Sequence, residues 1–95
     1  MNNNENNIKQ IIDAVINRYS LKGKLTEVRI KELWREIVGD YISKHTISLR
    51  YYHGKLFVNL DIATLKTELL YKRTKILQEM NKSLGEKLIS EIVIK

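Results

Sequence analysis

His45-Thr46-Ile47-Ser48-Leu49-Arg50-Tyr51-Tyr52-His53-Gly54-Lys55-Leu56-Phe57-Val58-Asn59-Leu60 is the stretch that decides the fold. Its polarity alternates with period 2, the signature of a half-buried strand. His45, Ile47, Leu49 and Tyr51 fall on one face, and Thr46, Ser48, Arg50 and Tyr52 on the other. His53-Gly54 reads as a two-residue turn, so Lys55 to Leu60 returns antiparallel. Setting Tyr52 against Lys55 places Tyr51 opposite Leu56, Leu49 opposite Val58 and Ile47 opposite Leu60. The apolar faces coincide, which a one-residue slip would destroy.

Upstream the period is helical. Ile30, Leu33, Trp34, Ile37, Val38 and Tyr41 form one apolar stripe, with Arg29, Lys31, Glu32, Arg35, Glu36 and Asp40 on the wet side. Thr26 reads as the N-cap, with Glu27 in the first turn where the helix dipole favours an acid. Trp34, the sole tryptophan, belongs in the core. Gly39 either ends the regular helix or admits another backbone. Ser20 to Lys24, around Gly23, reads as a loop. Before it, Ile8, Ile11, Ile12, Val15, Ile16 and Tyr19 recur at helical spacing, giving a helix from about Asn7 to Tyr19. Its stripe packs on the core or forms a homodimer seam. Residues 1–7 read as a disordered tail, leaving 8–95 as a single domain.

Downstream, Asp61 to Asn81 is helical, with Ile62, Leu65, Leu69, Leu70, Ile76, Leu77 and Met80 on one face. Lys66 and Arg73 fall within that face: either both side chains snorkel from the core edge, or the helix breaks near Tyr71-Lys72-Arg73. Leu88 to Ile94 makes a last strand, with Leu88, Ser90, Ile92 and Ile94 on one side. The order is α-α-β-β-α-β, an α+β domain with a small three-stranded mixed sheet against helices. The long crossover, right-handed by rule, makes the third strand parallel to the second. The pattern leaves open whether it lies beside the second strand or the first.

Composition narrows the function. The 95 residues carry a net charge of +6 and no cysteine, which excludes disulfides and Cys-based zinc sites. Residues 41–95 hold ten Lys/Arg against five acids, and Tyr41 to Leu60 contains Lys44, Arg50 and Lys55 with no acid. Such a basic half suits an anionic partner. No apolar run is long enough to span a membrane and no secretory signal appears, so the expected location is cytoplasmic. No phosphate loop or nucleophile motif is present. His45 and His53 sit at opposite ends of one strand, too far apart to share a metal. His45 either bonds backbone at the helix-to-strand corner or contacts a ligand. Glu32, Glu36 and Asp40 read as a solvated face. Neither enzyme activity nor a cofactor is expected.

Binding is better supported. The non-apolar sheet face would present Thr46, Ser48, Arg50 and Tyr52 beside Lys55, Phe57 and Asn59. Cations for phosphates and rings for bases are what a single-strand platform needs, unless the first helix covers Phe57 and Tyr52. A second basic group, Lys66, Lys72, Arg73 and Lys75, lines an adjoining helix edge or is simply solvated.

Taken in order, Trp34-x3-Val38-Gly39, Ile42-x2-His45-Thr46, Gly54-x-Leu56-x-Val58, Leu65-x2-Glu68-Leu69, Ile76-Leu77-x3-Asn81-x2-Leu84-Gly85 and Ile89-x2-Ile92 resemble the DciA-like family of bacterial proteins. The resemblance runs from about Ile8 to Lys95. It implies a KH-like fold and a role in DNA replication, with the replicative DNA helicase and single-stranded DNA as partners. The zinc-ribbon label some members carry does not apply to a chain without cysteine, and there is no Gly-x-x-Gly loop. The chain looks like the family's short form, without a basic tail. The leading expectation is a cytoplasmic, nucleoid-associated adaptor holding single-stranded DNA through Arg50, Lys55, Lys66, Lys72 and Arg73. A KH-like RNA-binding module is the second reading, and a scaffold dimerising through the first helix the third.

Overall fold

The computed structural model describes residues 22–95. The expected tail and the helix expected at Asn7–Tyr19 lie outside these residues. The described elements are α1 (Lys22–Val38), α2 (Asp40–Lys44), β1 (Thr46–Tyr52), β2 (Lys55–Leu60), α3 (Ala63–Leu84) and β3 (Glu91–Ile94). They form an α+β arrangement around a three-stranded mixed sheet of order β1-β2-β3.

α1 begins earlier than the sequence reading placed it. Lys22, Gly23 and Lys24 are helical rather than a loop, and Thr26 is buried inside the helix instead of capping it. Gly23 is the second residue of α1, in its first turn, and Thr26, Ile30 and Trp34 further along the same helix are buried. Gly39 then ends the helix. Its φ of +92° lies in the left-handed region, while a Cβ there would meet nothing within 4 Å. Conformation, not close approach, therefore selects glycine. The break resets the helical phase, so Tyr41, expected on the buried stripe, is 60% exposed while Ile42 is buried.

The hairpin turn is as expected. His53 (φ +48°) and Gly54 (φ +80°) both adopt positive φ, as a type I′ turn requires. Tyr52 pairs with Lys55, Tyr51 with Leu56 and Leu49 with Val58. The register breaks at the far end, where Thr46, not Ile47, pairs with Leu60 and a bulge lies between Thr46 and Ser48. Ile47 is turned out to 62% exposure. Its expected place passes to Thr46, whose Oγ1 accepts the Trp34 indole N–H at 3.0 Å and donates to the Ile42 carbonyl at 2.7 Å. The bulge re-aims one side chain so that the buried indole gains a partner. His45 bonds across the same corner. Its Nδ1 lies 3.0 Å from Asp61 Oδ1, and its carbonyl accepts the Asp61 N–H.

α3 is unbroken over 22 residues, so the phase does not reset at Tyr71-Lys72-Arg73. Leu65, Leu69, Ile76, Met80 and Leu84 are buried, but Leu70 to Lys75 are all exposed. The helix is seated at both ends and uncovered in its middle. Leu70, expected in the core, is therefore 49% exposed. Lys66 is half-buried, and Arg73 reaches solvent through the uncovered span.

β3 lies beside β2 and parallel to it, Lys55 facing Glu91 and Val58 facing Ile94. It is shorter than expected because residues 85–90 follow a tailored path rather than a strand. Gly85, at φ +83°, caps α3. Asn81 then grips Ile89, donating Nδ2–H to its carbonyl at 2.8 Å and accepting its N–H at 2.9 Å. Ile89 is thereby buried in the core together with Ile92, although strict alternation sets the two on opposite sides of the strand.

Candidate nucleic-acid interface

Leu49, Leu56, Val58 and Ile92 point to the core shared with α1 and α3. The opposite sheet face carries two cross-strand rows. In one, Arg50 faces Phe57 and Phe57 faces Val93; in the other, Tyr52 faces Lys55 and Lys55 faces Glu91. Ser48 and Asn59 form a shorter third row. Arg50, Tyr52, Lys55, Ser48 and Asn59 are exposed, and Phe57 and Val93 are half-buried. The alternation that drives Leu56 and Val58 inward leaves Phe57 central on the open side, flanked by both cations. Of the residues expected there, only Thr46 is missing, because the bulge turns it toward Trp34.

Both cations have acidic neighbours that the sequence alone did not reveal. Arg50 Nε lies 3.4 Å from Glu27 Oε2, and Lys55 Nζ lies 3.8 Å from Glu91 Oε2. Glu27 also accepts the Tyr51 N–H at 2.8 Å and lies 3.5 Å from Lys31 Nζ. Partial burial opposes its ionisation, yet the Tyr51 N–H, Lys31 and Arg50 outweigh that and hold its carboxyl below the ordinary value. With Arg50 72% exposed and Lys55 53% exposed, either cation can exchange a carboxylate for a phosphate at little cost.

The expected basic group on α3 does not form one edge. Residues seven apart share a helix side, so Lys66 and Arg73 lie together, whereas Lys72 and Lys75, three apart, lie on another. Lys72 pairs with Glu68 at 3.1 Å. Arg73 lines a cleft of about 400 Å³ with Thr74, Leu77, Ser90, Glu91 and Ile92, where α3 passes β3. Of the carboxylates read as a solvated face, Glu32 and Glu36 are exposed, and Asp40 is paired with Arg35. That pairing lowers the Asp40 pKa and raises that of Arg35. Among the described residues, no three of His, Cys, Asp and Glu gather as a metal would require. None of the described helices is long and apolar enough to cross a membrane.

Together these features define a small α+β domain with a sheet face on which exposed Arg50, Tyr52 and Lys55 surround half-buried Phe57, and with no enclosed reactive centre among the described residues. The family model described as "Dna[CI] antecedent, DciA" matches residues 7–94, and the chain belongs to this family. Membership connects it to DNA replication. A search of the curated proteins returns no match.

Proposed function

We propose that this chain is a non-enzymatic adaptor of DNA replication that binds single-stranded DNA and the replicative helicase and assists helicase loading. The observation that carries the reading is the open sheet face, where Phe57 sits between Arg50 and Lys55 with Tyr52 beside them. Bases stack on Phe57 and Tyr52, and phosphates take Arg50 and Lys55 from their carboxylates. Arg73, Lys66, Lys72 and Lys75 are distributed around α3 and add long-range attraction rather than a second track. Family membership supports a partner in DNA replication, which this reading takes to be the replicative helicase. Holding a strand and the helicase at once biases the ring toward a state able to receive that strand, by differential binding alone. This reading places the protein in the cytoplasm, at the nucleoid when bound, and takes the α+β domain as a KH-like module working without a Gly-x-x-Gly loop.

Fluorescence anisotropy with a labelled oligo-dT strand tests it. Binding should weaken steeply with salt. Phe57→Ala should cost about 1–3 kcal/mol, roughly five- to 150-fold in affinity. Arg50→Ala and Lys55→Ala should each reduce the salt slope by about 1. No binding at low salt, or binding indifferent to Phe57, removes the platform. Strong preference for RNA would favour an RNA-binding module instead. A pull-down with the helicase, with and without the strand, tests the second partner.

A further inference from the structure

The two edges of the sheet are treated differently. On β1 the outward Tyr51 N–H is taken by Glu27 and the strand is bulged at Ile47, both recognised ways of closing an edge. On β3 the register with β2 fixes which groups are used. Lys95 donates its N–H to Val58 and accepts that of Leu60, so residues 91, 93 and 95 face β2. Ile92 and Ile94 then direct their N–H and C=O groups away from the sheet. No partner for them is found among the described residues. The cleft containing Arg73 and Leu77 runs beside this edge, with half-exposed Leu70 further along the same side of α3.

We propose that β3 pairs antiparallel with β3 of a second copy of this chain about a two-fold axis through Val93. The strand's own sequence, Glu91-Ile92-Val93-Ile94-Lys95, selects this occupant. Only outward-facing residues can exchange hydrogen bonds, so the candidate pairings are Ile92 with Ile92, Ile94 with Ile94, or Ile92 with Ile94. The last sets Glu91 of each copy opposite Lys95 of the other, Val93 opposite itself and isoleucine opposite isoleucine. The other two set Glu91 or Lys95 against Val93. In the favoured register, opposite charges face each other twice, the cross-strand match that stabilises a pair. The contact is isologous and closes as a dimer. The two sheets become one of six strands, and the uncovered sides of the two α3 helices, with Leu70 and Leu77, approach each other.

The chain has no cysteine, so an introduced one reports cleanly. Directly opposed, non-hydrogen-bonded residues have Cα atoms about 4.5 Å apart, within disulfide reach. Val93→Cys should therefore crosslink on mild oxidation much faster than Tyr71→Cys, a site 88% exposed on α3. Sedimentation equilibrium from about 10 µM to about 1 mM, a range suited to a small interface, should show monomer passing to dimer. Glu91→Lys or Lys95→Glu alone should abolish the dimer, and the two together should restore it. A monomer throughout, single reversals without effect, or Val93→Cys crosslinking no faster than Tyr71→Cys would overturn the proposal. So would loss of the dimer in Ile12→Asp together with indifference to both reversals, which moves the contact to the N-terminal stripe.

Discussion

Replacing Thr46 by valine keeps the shape of the side chain and removes two hydrogen bonds. The hydroxyl accepts from the Trp34 indole at 3.0 Å and donates to the Ile42 carbonyl at 2.7 Å. Trp34 is 3% exposed, so its N–H would have little water in compensation. An unsatisfied buried group costs about 1–3 kcal/mol; Thr46 is itself only half-buried, which favours the lower part of that range for each group. The expected loss is about 2 kcal/mol, or about 8–16 °C in Tm for a domain of this size. In urea the midpoint should fall by about 1–2 M. The assay is direct, because Trp34 is the sole tryptophan and its emission reports its own exposure. Thr46→Ser keeps both bonds and removes one methyl, costing about 0.8 kcal/mol or less. If Thr46→Val were no worse than Thr46→Ser, the indole bond would not be what fixes the bulge.

Two further outcomes follow from side chains that reach across elements. Glu27 has a lowered pKa when folded, so its contribution to stability is complete above its unfolded value of about 4.5 and is lost as pH falls through the folded one. Denaturation midpoints measured between about pH 6 and pH 3 should decline, and Glu27→Gln should flatten that decline. Asn81→Ala removes both bonds to Ile89 and should cost about 1–3 kcal/mol by urea unfolding. Asn81→Asp should cost as much, since a carboxylate cannot donate to the Ile89 carbonyl.

The hairpin was legible because its information is local. Alternation, a positive-φ turn and the match of two apolar faces all lie within sixteen residues. The bulge was not, since it depends on the Trp34 indole, twelve residues upstream, choosing the Thr46 hydroxyl. Tyr41 was misplaced by carrying the helical phase through Gly39, although a glycine at that point is a signal for a break. Arg73 lay centrally on the apolar face of α3 because periodicity assumes a helix covered along its whole length. Only the ends of α3 are covered, and no local pattern encodes that. The sheet face was legible from the same alternation as the core. The carboxylates beside Arg50 and Lys55 were not: Glu27 is 23 residues from Arg50, and Glu91 meets Lys55 only once β3 is known to neighbour β2. For the cations of α3, spacing alone separates Lys66 and Arg73 from Lys72 and Lys75.

The parallel placement of β3 also orders events in time. β1 and β2 meet through a two-residue turn, whereas β2 and β3 are separated by about thirty residues that include all of α3. Closing the short loop costs little entropy, and closing the long one delays every contact that depends on it. The grip of Asn81 on Ile89 shortens that search, because it aims the chain back along the sheet as soon as α3 has formed. The topology thus assigns the hairpin and its helices to the early phase of folding, and the strand that completes the sheet to the last.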